Sequence, residues 1–595
     1  MRKHQNTIQR VGTRLAATLT MTVMVAQGQQ SPDRNPQPSV RRPAGIPREM
    51  PPRGQQQNDN NPDASAEGIE LPAENRSIDG SGNNEANPTW GQAKHPFIRR
   101  LQSAYADGAN EPSGDDRPPT RAVSNALVAQ EESILNSRGA TDFLWQWGQF
   151  IDHDIVETPT ISPAEEFDIL VPTGDPWFDP SSTGTQTIPL NRSLYEEVDG
   201  VREQINEISS YIDASNVYGS DDVRAFALRR LDGSGKLKIT ESNHGDLLPY
   251  NDSGLSNAPS VSPIFFLAGD VRANEQLGLT AVHTLFMRDH NHWAETYAEM
   301  NPQAMDEEIY QFARMIVAAE LQAITYREFL PVLLGRHAIR PYRGYDENVC
   351  ADISNEFGAA AYRIGHSLLS PTLQRLNTEG EEVEEGHLAL ASAFFNPALI
   401  EDGGISSVLR GLAAQQCQEL DEKLVDDVRN FLFGPPGSGG FDLAALNMQR
   451  GRDHGLPSYN EARRELRLRP LQSFRQLSRD PETVEALSSV YGSVDQMDLW
   501  FAGLCEKDVP DSMVGEVYQR LLVDQFTRLR DGDRFYYESA LPPELVRLVE
   551  EQTLATIIRR NTEIGDELSD NVFVIGDDRR QQRQQLQRAP RRSRR

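Results

Sequence analysis

Seven residues, Gly148 to Asp154 (GQFIDHD), combine an amide, two carboxylates and an imidazole directly after the apolar run Phe143-Leu144-Trp145-Gln146-Trp147. Charged groups set into so apolar a stretch need partners. On a helix, Gln149, Asp152 and His153 fall at i, i+3 and i+4 on one face, while Asp154 points about 100° further round. Phe143, Trp147 and Ile151 form the neighbouring stripe. Such a helix shows one polar trio to one buried place and a second carboxylate to another. A metal, a cofactor or a hydrogen-bonded Asp–His pair of purely structural use would each answer it.

Four further clusters carry chemistry. In ISSYIDASNVYGSD, extended backbone places Ser209, Tyr211, Asp213 and Ser215 at alternate positions; their oxygens suit calcium, and a Ser-rich loop closing at Tyr218-Gly219 fits the same residues. In LAGDVRANEQLGLTAVHTLFMRDHNHWA, Arg272 and Glu275 precede a helix holding His283, His290 and His292. A zinc site on those histidines competes there with capped or core imidazoles, and the H-E-x-x-H spacing is missing. YRIGHSLLSP sets His366 on a mainly apolar helix with Arg363 one turn earlier. LAALNMQRGRDHGLPSYNEAR crowds Asn447, Arg450, Arg452, Asp453 and His454 into an expected loop ending at Pro457. An asparagine beside a histidine can accept its Nδ1 proton and orient Nε2 toward a metal.

Helices must position these groups. DEEIYQFARMIVAAELQAITYREFL repeats Ile309, Phe312, Ile316, Ala319 and Leu321 or Ile324 along one face, with Asp306, Glu307 and Glu308 in the first turn, where the helix dipole favours them. LTAVHTLFMRDHNHWAETYAEM and ISNEFGAAAYRIGHSLL read as helices too. Period-2 alternation is scarce, and FGPPGSGGFD marks long loops. The expected fold is mainly α, one large domain at 87–577. Residues 1–28 read as a signal peptide, with Arg2, Lys3, Arg10 and Arg14 before the run Leu15–Ala26 and a small-residue cleavage site at Ala26-Gln27-Gly28. Residues 29–86 read as a disordered Gln/Asn/Pro-rich leader and 578–595 as a disordered basic tail carrying eight arginines.

A net charge of −29 argues against nucleic acid or an anionic membrane as partner of the body. There is no apolar stretch of the ~18 residues that a membrane helix requires, so stable membrane insertion is not expected. Cys350, Cys417 and Cys505 permit at most one disulfide. A monomer is expected, secreted or held in the periplasm or cell envelope.

Together these segments resemble the animal (mammalian-type) haem peroxidase family, from NPTWGQAKHPFIRRLQSAYADG (Asn87–Gly108) through every cluster above and DQFTRLRDGDRFYYES (Asp524–Ser539) to about Val574. The motifs occur in the family's order over several hundred residues. The resemblance implies that helices enclose haem b, that His153 is the distal acid–base, and that Gln149 hydrogen-bonds distal water or halide. It implies Arg272 as the catalytic arginine, haem ester links through Asp152 and Glu275, and His366 as the proximal ligand with Asn447 as its partner. Arg363 and Arg450 would lie close to the haem. One Ca2+ would be held by Asp154, Ser209, Tyr211 through its carbonyl, Asp213 and Ser215. The implied reaction reduces hydrogen peroxide and oxidises halides or thiocyanate by two electrons, or phenols one electron at a time.

Some members carry a methionine just after the second ester carboxylate and link it to the haem as a sulfonium; here that position is Gln276, which leaves two ester links at most and puts easy chloride oxidation in doubt. The few cysteines suggest the bacterial-type members called peroxicins. Cyclooxygenases and fatty-acid dioxygenases share the fold but place a radical-forming tyrosine three residues before the proximal histidine, where this chain has Arg363 and the neighbouring Tyr362 falls on another helical face. A haem-less adhesion or matrix protein that keeps only the fold is the remaining alternative, opposed by the intact His153, Arg272 and His366.

Overall fold

A computed structural model describes residue 72, residues 74–478 and residues 480–576. The expected signal at 1–28, most of the leader and the tail at 578–595 lie outside the described residues. Residues 74–86 lie within them, and they correct the leader's boundary. Arg76 donates to both oxygens of Asp533 at 3.0 and 2.8 Å, and Asn83 Nδ2 donates to the same carboxylate at 2.7 Å. Asn83 and Asn84 are 1% and 0% exposed. This Asn-rich stretch folds because its polar side chains satisfy a buried carboxylate, a contact that composition does not report.

The body is mainly helical around one continuous apolar core. Five helices position the site: α1 (Phe143–Ile155), α2 (Leu277–Met300), α3 (Asp306–Ile324), α4 (Leu443–Asp453) and α5 (Glu516–Asp531). In α1 the predicted stripe is the packed one: Phe143, Trp147 and Ile151 are fully buried. Phe150 stacks on Phe286 of α2 at 5.2 Å between ring centres, and Trp147 meets the same ring at 5.8 Å. In α3, Ile309, Phe312, Ile316 and Ala319 are buried as the period requires, and Glu308 accepts from the Met305 amide at 2.8 Å to close the first turn. Tyr297 of α2 stacks on Phe312 of α3 at 4.3 Å.

Three short strands, β1 (His95–Pro96), β2 (Tyr195–Val198) and β3 (Val201–Asn206), form an antiparallel sheet in the order β1-β3-β2. Val198 pairs with Val201 across Asp199-Gly200, whose positive φ values of 52° and 82° make a two-residue hairpin turn. Asn206 ends β3 and fastens it to the end of α1, donating to the Ile155 carbonyl at 2.8 Å. The chain thus enters residues 208–215 beside Asp154.

Of the two readings of residues 208–215 the loop is the one observed: residues 208–213 bend, and Ser215–Tyr218 is a helical turn entered through Ala214 at φ 64°. Two local expectations change. ISNEFGAAAYRIGHSLL is not one helix: Asn355–Ala359 stops at Ala360 (φ −138°, ψ −69°), and Ala361–His366 winds as a tighter 3-10 turn. At the break the Gly358 carbonyl accepts Arg363 Nε at 3.0 Å. Asn447–Asp453 is helix, not loop, because Asp442 caps α4 by accepting from the Ala445 amide at 3.0 Å. All three cysteines are free thiols. No helix among the described residues is long and apolar enough to cross a membrane.

Candidate active site

The polar face of α1 meets the Arg272–Glu275 turn that leads into α2. His153 is 4% exposed; its Nδ1 lies 3.3 Å from Asp270 Oδ1 and its Nε2 lies 3.9 Å from Glu275 Oε2. Arg272 donates to Asp270 through Nε at 3.0 Å and Nη2 at 2.7 Å, and through Nη2 to the Val156 carbonyl at 2.9 Å. Its Nη1 reaches to 3.9 Å from Asp152 Oδ2. Gln149 Nε2 donates to Glu275 Oε2 at 3.1 Å. The structure thus brings together all five distal residues named from the sequence.

Their electrostatics divide them. Burial works against ionised Asp270, but the Arg272 guanidinium and His153 hold its carboxyl well below the usual range. Asp152 and Glu275 are pushed upward by burial, which Arg272 and His153 only partly offset. Asp152 accepts no side-chain hydrogen bond among the described residues, although 30% of its side chain is accessible deep in the molecule; for Glu275 the figure is 20%. Two under-satisfied carboxyls facing accessible interior space are suited to bonding a group that the protein does not itself supply.

The 3-10 turn Ala361–His366 also packs against α1. Three residues per turn stack Arg363 above His366. Asn447 of α4 sits between them: its Oδ1 accepts Arg363 Nη1 at 3.0 Å and its Nδ2 lies 2.7 Å from His366 Nδ1. The amide therefore turns its nitrogen to the ring in this structure, the reverse of an asparagine accepting the ring proton. His366 Nε2 has no partner among the described residues. Burial, then Arg363, pushes the imidazole down to about 3, so the ring is neutral at any ordinary pH. Burial and neighbouring Arg450 lower Arg363 to about 10. Arg450 itself is turned away, donating to Asp453 and Ser193 at 2.8 Å each.

Asp154 occupies the opposite side of α1. Its carboxylate accepts from the Ala214 and Asn216 amides at 3.2 Å, and Ser215 Oγ donates to its carbonyl at 2.7 Å. Asp213 accepts from Ser209 Oγ at 2.8 Å and from the Ser215 amide at 3.1 Å. Burial and Asp213 raise Asp154 well above the usual range; burial raises Asp213 too, against Arg76 and Arg314. Two buried carboxylates among hydroxyl and carbonyl oxygens form a hard, oxygen-only donor set that fits calcium. Tyr211 is buried beside them, its hydroxyl donating to the Trp90 carbonyl at 2.9 Å.

The histidines of α2 do not converge. His290 uses both ring nitrogens, with the Tyr218 hydroxyl at 2.9 Å and the Gly235 carbonyl at 3.0 Å, while His283 packs edge-on against Phe150. They form no zinc site. Tyr362 is stacked on Phe357 within an apolar cluster. Sequence reasoning missed Asp270, which ties His153 to Arg272. Its signal was present: an acid two residues before the arginine, in a stretch otherwise apolar.

A family model described as animal haem peroxidase matches residues 75–573. Peroxinectin A of Dictyostelium discoideum is 37% identical over 516 residues, covering 84% of this chain and 95% of that protein. Peroxidasin of Drosophila melanogaster is 35% identical over 551 residues, covering 84% of this chain but 36% of that longer protein. Among solved structures, peroxidase A of D. discoideum superimposes with a TM-score of 0.79 at 36% identity, over 84% of this chain and 99% of that one. A fatty acid alpha-dioxygenase of Oryza sativa reaches 0.71 at 21% identity over 84% of this chain and 87% of that one, a likeness of fold. These matches give the bacterial-type placement no support. The family match, the relatives and the paired imidazoles agree: the chain belongs to the animal haem peroxidase family and is a peroxidase.

Proposed function

We propose that the protein reduces hydrogen peroxide at haem b and spends the oxidising equivalents on small anions, halides or thiocyanate, or on phenols. The observation that carries this reading is a pair of differently prepared imidazoles on two elements that pack together, the helix Phe143–Ile155 and the turn Ala361–His366. His366 is held neutral by burial, and with the Asn447 amide turned to accept from Nδ1 its Nε2 lone pair would be free to bind the haem iron. His153 has Nδ1 turned on a carboxylate and Nε2 turned inward.

Haem b, when bound, supplies the two electrons that cleavage of the peroxide O–O bond consumes. His153 Nε2 takes a proton from one peroxide oxygen and returns it to the other, so water leaves rather than hydroxide. Arg272 faces the negative charge that builds on the departing oxygen, and Asp270 keeps that guanidinium in place. Overall, peroxide, a halide and a proton give hypohalous acid and water. Asp152 and Glu275 would form ester bonds to the haem, and His366, Arg363, Asn447 and Arg450 would support its other face. One Ca2+ held by Asp154, Ser209, Tyr211, Asp213 and Ser215 would neutralise the buried carboxylates and fix the far side of α1. Export, with cleavage near residue 28, would put a monomeric enzyme in the secreted, periplasmic or envelope space.

The test is an absorption spectrum followed by stopped-flow kinetics. A Soret band that survives acid–acetone extraction, and turnover of peroxide with at least one of chloride, bromide, iodide, thiocyanate or a phenol, is expected. No Soret band would refute the haem reading. Oxygen uptake on a polyunsaturated fatty acid without added peroxide would replace it by a dioxygenase.

A further inference from the structure

Gln276 caps α2, and the cap has a consequence inside the cleft. The Gly278 amide is a backbone donor with a fixed direction, and Gln276 Oε1 accepts from it at 2.6 Å. With its oxygen so committed, Gln276 turns Nε2 the other way, where it donates to Gln146 Oε1 at 2.6 Å and Gln149 Oε1 at 3.1 Å. Gln149 then has its oxygen occupied and must present Nε2 forward, where it meets Glu275 Oε2 at 3.1 Å. An amide nitrogen carries two hydrogens, and Glu275 takes one.

The arrangement is built closely. Gln146 is 0% exposed and Gln276 3%. A Cβ on Gly278 would lie 2.4 Å from Gln146 Oε1 and 3.0 Å from Gln276 Oε1, so only glycine lets three glutamine amides meet over the helix end. An amide that is free to rotate by half a turn shows donor and acceptor alternately; this one is set by a chain of bonds that starts at a backbone N–H.

We propose that Gln276 is a positioning residue that locks Gln149 with its amide nitrogen toward the cleft, making the distal cavity a donor site for a small anion such as a halide. This rests on the reading of Gln149 and Glu275 as lining the haem cleft. It gives Gln276 a role of its own at the position where some relatives carry a haem-linked methionine.

The experiment uses the haem-loaded ferric protein and bromide as probe, reading bromide's competition with cyanide from the Soret band. Gln276→Glu keeps the acceptor for Gly278 but cannot donate to Gln149, whose amide then turns its nitrogen back to the new carboxylate and its oxygen into the cleft. The apparent Kd for bromide should rise about tenfold or more, the usual cost of losing a donor to a charged group. Gln276→Leu leaves the amide unset and should fall between the wild type and Gln276→Glu. It also carries the test if the glutamate variant does not fold. Because the new carboxylate repels anions in its own right, the double variant Gln149→Leu/Gln276→Glu decides the route. Adding Gln276→Glu to Gln149→Leu should weaken bromide binding by a clearly smaller factor than adding it to the wild type, the remainder being direct repulsion. Additive loss, wild-type binding in either Gln276 variant, or no bromide competition in the wild type overturns the proposal. If Gln149→Leu alone binds bromide normally, the reading of Gln149 as lining the cleft fails instead.

Discussion

Asp270 Oδ1 lies 3.3 Å from His153 Nδ1, and the same carboxylate takes Arg272 Nη2 at 2.7 Å through its other oxygen. One buried side chain thus faces both His153 and Arg272. A carboxylate beside Nδ1 keeps the proton on that nitrogen and leaves the Nε2 lone pair to the cleft. Asparagine at this position can donate as well as accept, and so permits the opposite tautomer. Asp270→Asn should slow the reaction with peroxide about 10²-fold or more. Cyanide binding, which also requires a proton to be removed, should slow in parallel, while carbon monoxide binds the reduced protein at the wild-type rate. Equal slowing of all three would show a collapsed pocket and no tautomer effect.

Asn447 separates a half-buried guanidinium from a half-buried imidazole, and both lose a partner when it is replaced. Asn447→Leu should lower stability by about 1–3 kcal/mol, because Arg363 Nη1 keeps no acceptor there. Asn447→Asp places an anion beside His366 and should lower the haem reduction potential, on the order of 50 mV, the one-electron equivalent of roughly 1 kcal/mol. Thermal unfolding and a spectroelectrochemical titration read the two effects separately. An unchanged potential in the aspartate variant would remove Asn447 from the proximal role.

The helical character of the body and the polar face of α1 were legible because both are written in local periodicity: Phe143, Trp147 and Ile151 on one side, Gln149, Asp152 and His153 on the other. The assembly of the site was legible only through motif order, since nothing in the spacing of Arg272, His366 and Asn447 says that they meet. What stayed hidden was set by tertiary partners. Ala360 breaks a helix that its apolar neighbours would continue, and the turn after it sets Arg363 against Asn447 of another helix. Arg76 and Asn83 look disordered until Asp533, some 450 positions away, is brought to them, and Asn84 until the Glu347 carbonyl is. Asp270 was passed over because its partners His153 and Arg272 come from different segments.

Asp154 and Asp213 are buried side by side, and each carboxylate disfavours ionisation of the other. A bound cation removes that repulsion only while α1 and the 208–215 loop are folded. Calcium at a hundredfold excess over its Kd should therefore stabilise the protein by about 2.7 kcal/mol, and chelation should lower the unfolding midpoint accordingly. Asp213→Asn should weaken the response to calcium while raising the midpoint of the chelated protein, since one of two repelling charges is gone. A midpoint indifferent to both calcium and chelator would refute the site.

Asp142 stands at the start of α1 with one carboxyl oxygen accepting from Ser370 Oγ at 2.8 Å and the other without a partner. Burial, opposed in part by the nearby Trp145 indole N–H and by the Ser370 hydroxyl, pushes it up to about 7 from its ordinary value of 3.8. A carboxyl whose pKa is higher folded than unfolded binds protons more tightly in the native state. Its contribution is fully present below pH 3.8, is lost progressively as pH rises toward 7, and stays lost above. Asparagine keeps the acceptor for Ser370 and has no charge to bury. Asp142→Asn should match the wild type near pH 4 and be the more stable of the two at pH 8, by roughly 2–4 kcal/mol. Denaturant unfolding of both proteins at pH 4.5, 6 and 8 isolates this difference from the titration of every other group, which the two share. A difference that does not change across that range would show that Asp142 is ionised throughout and stabilised by something other than the contacts described.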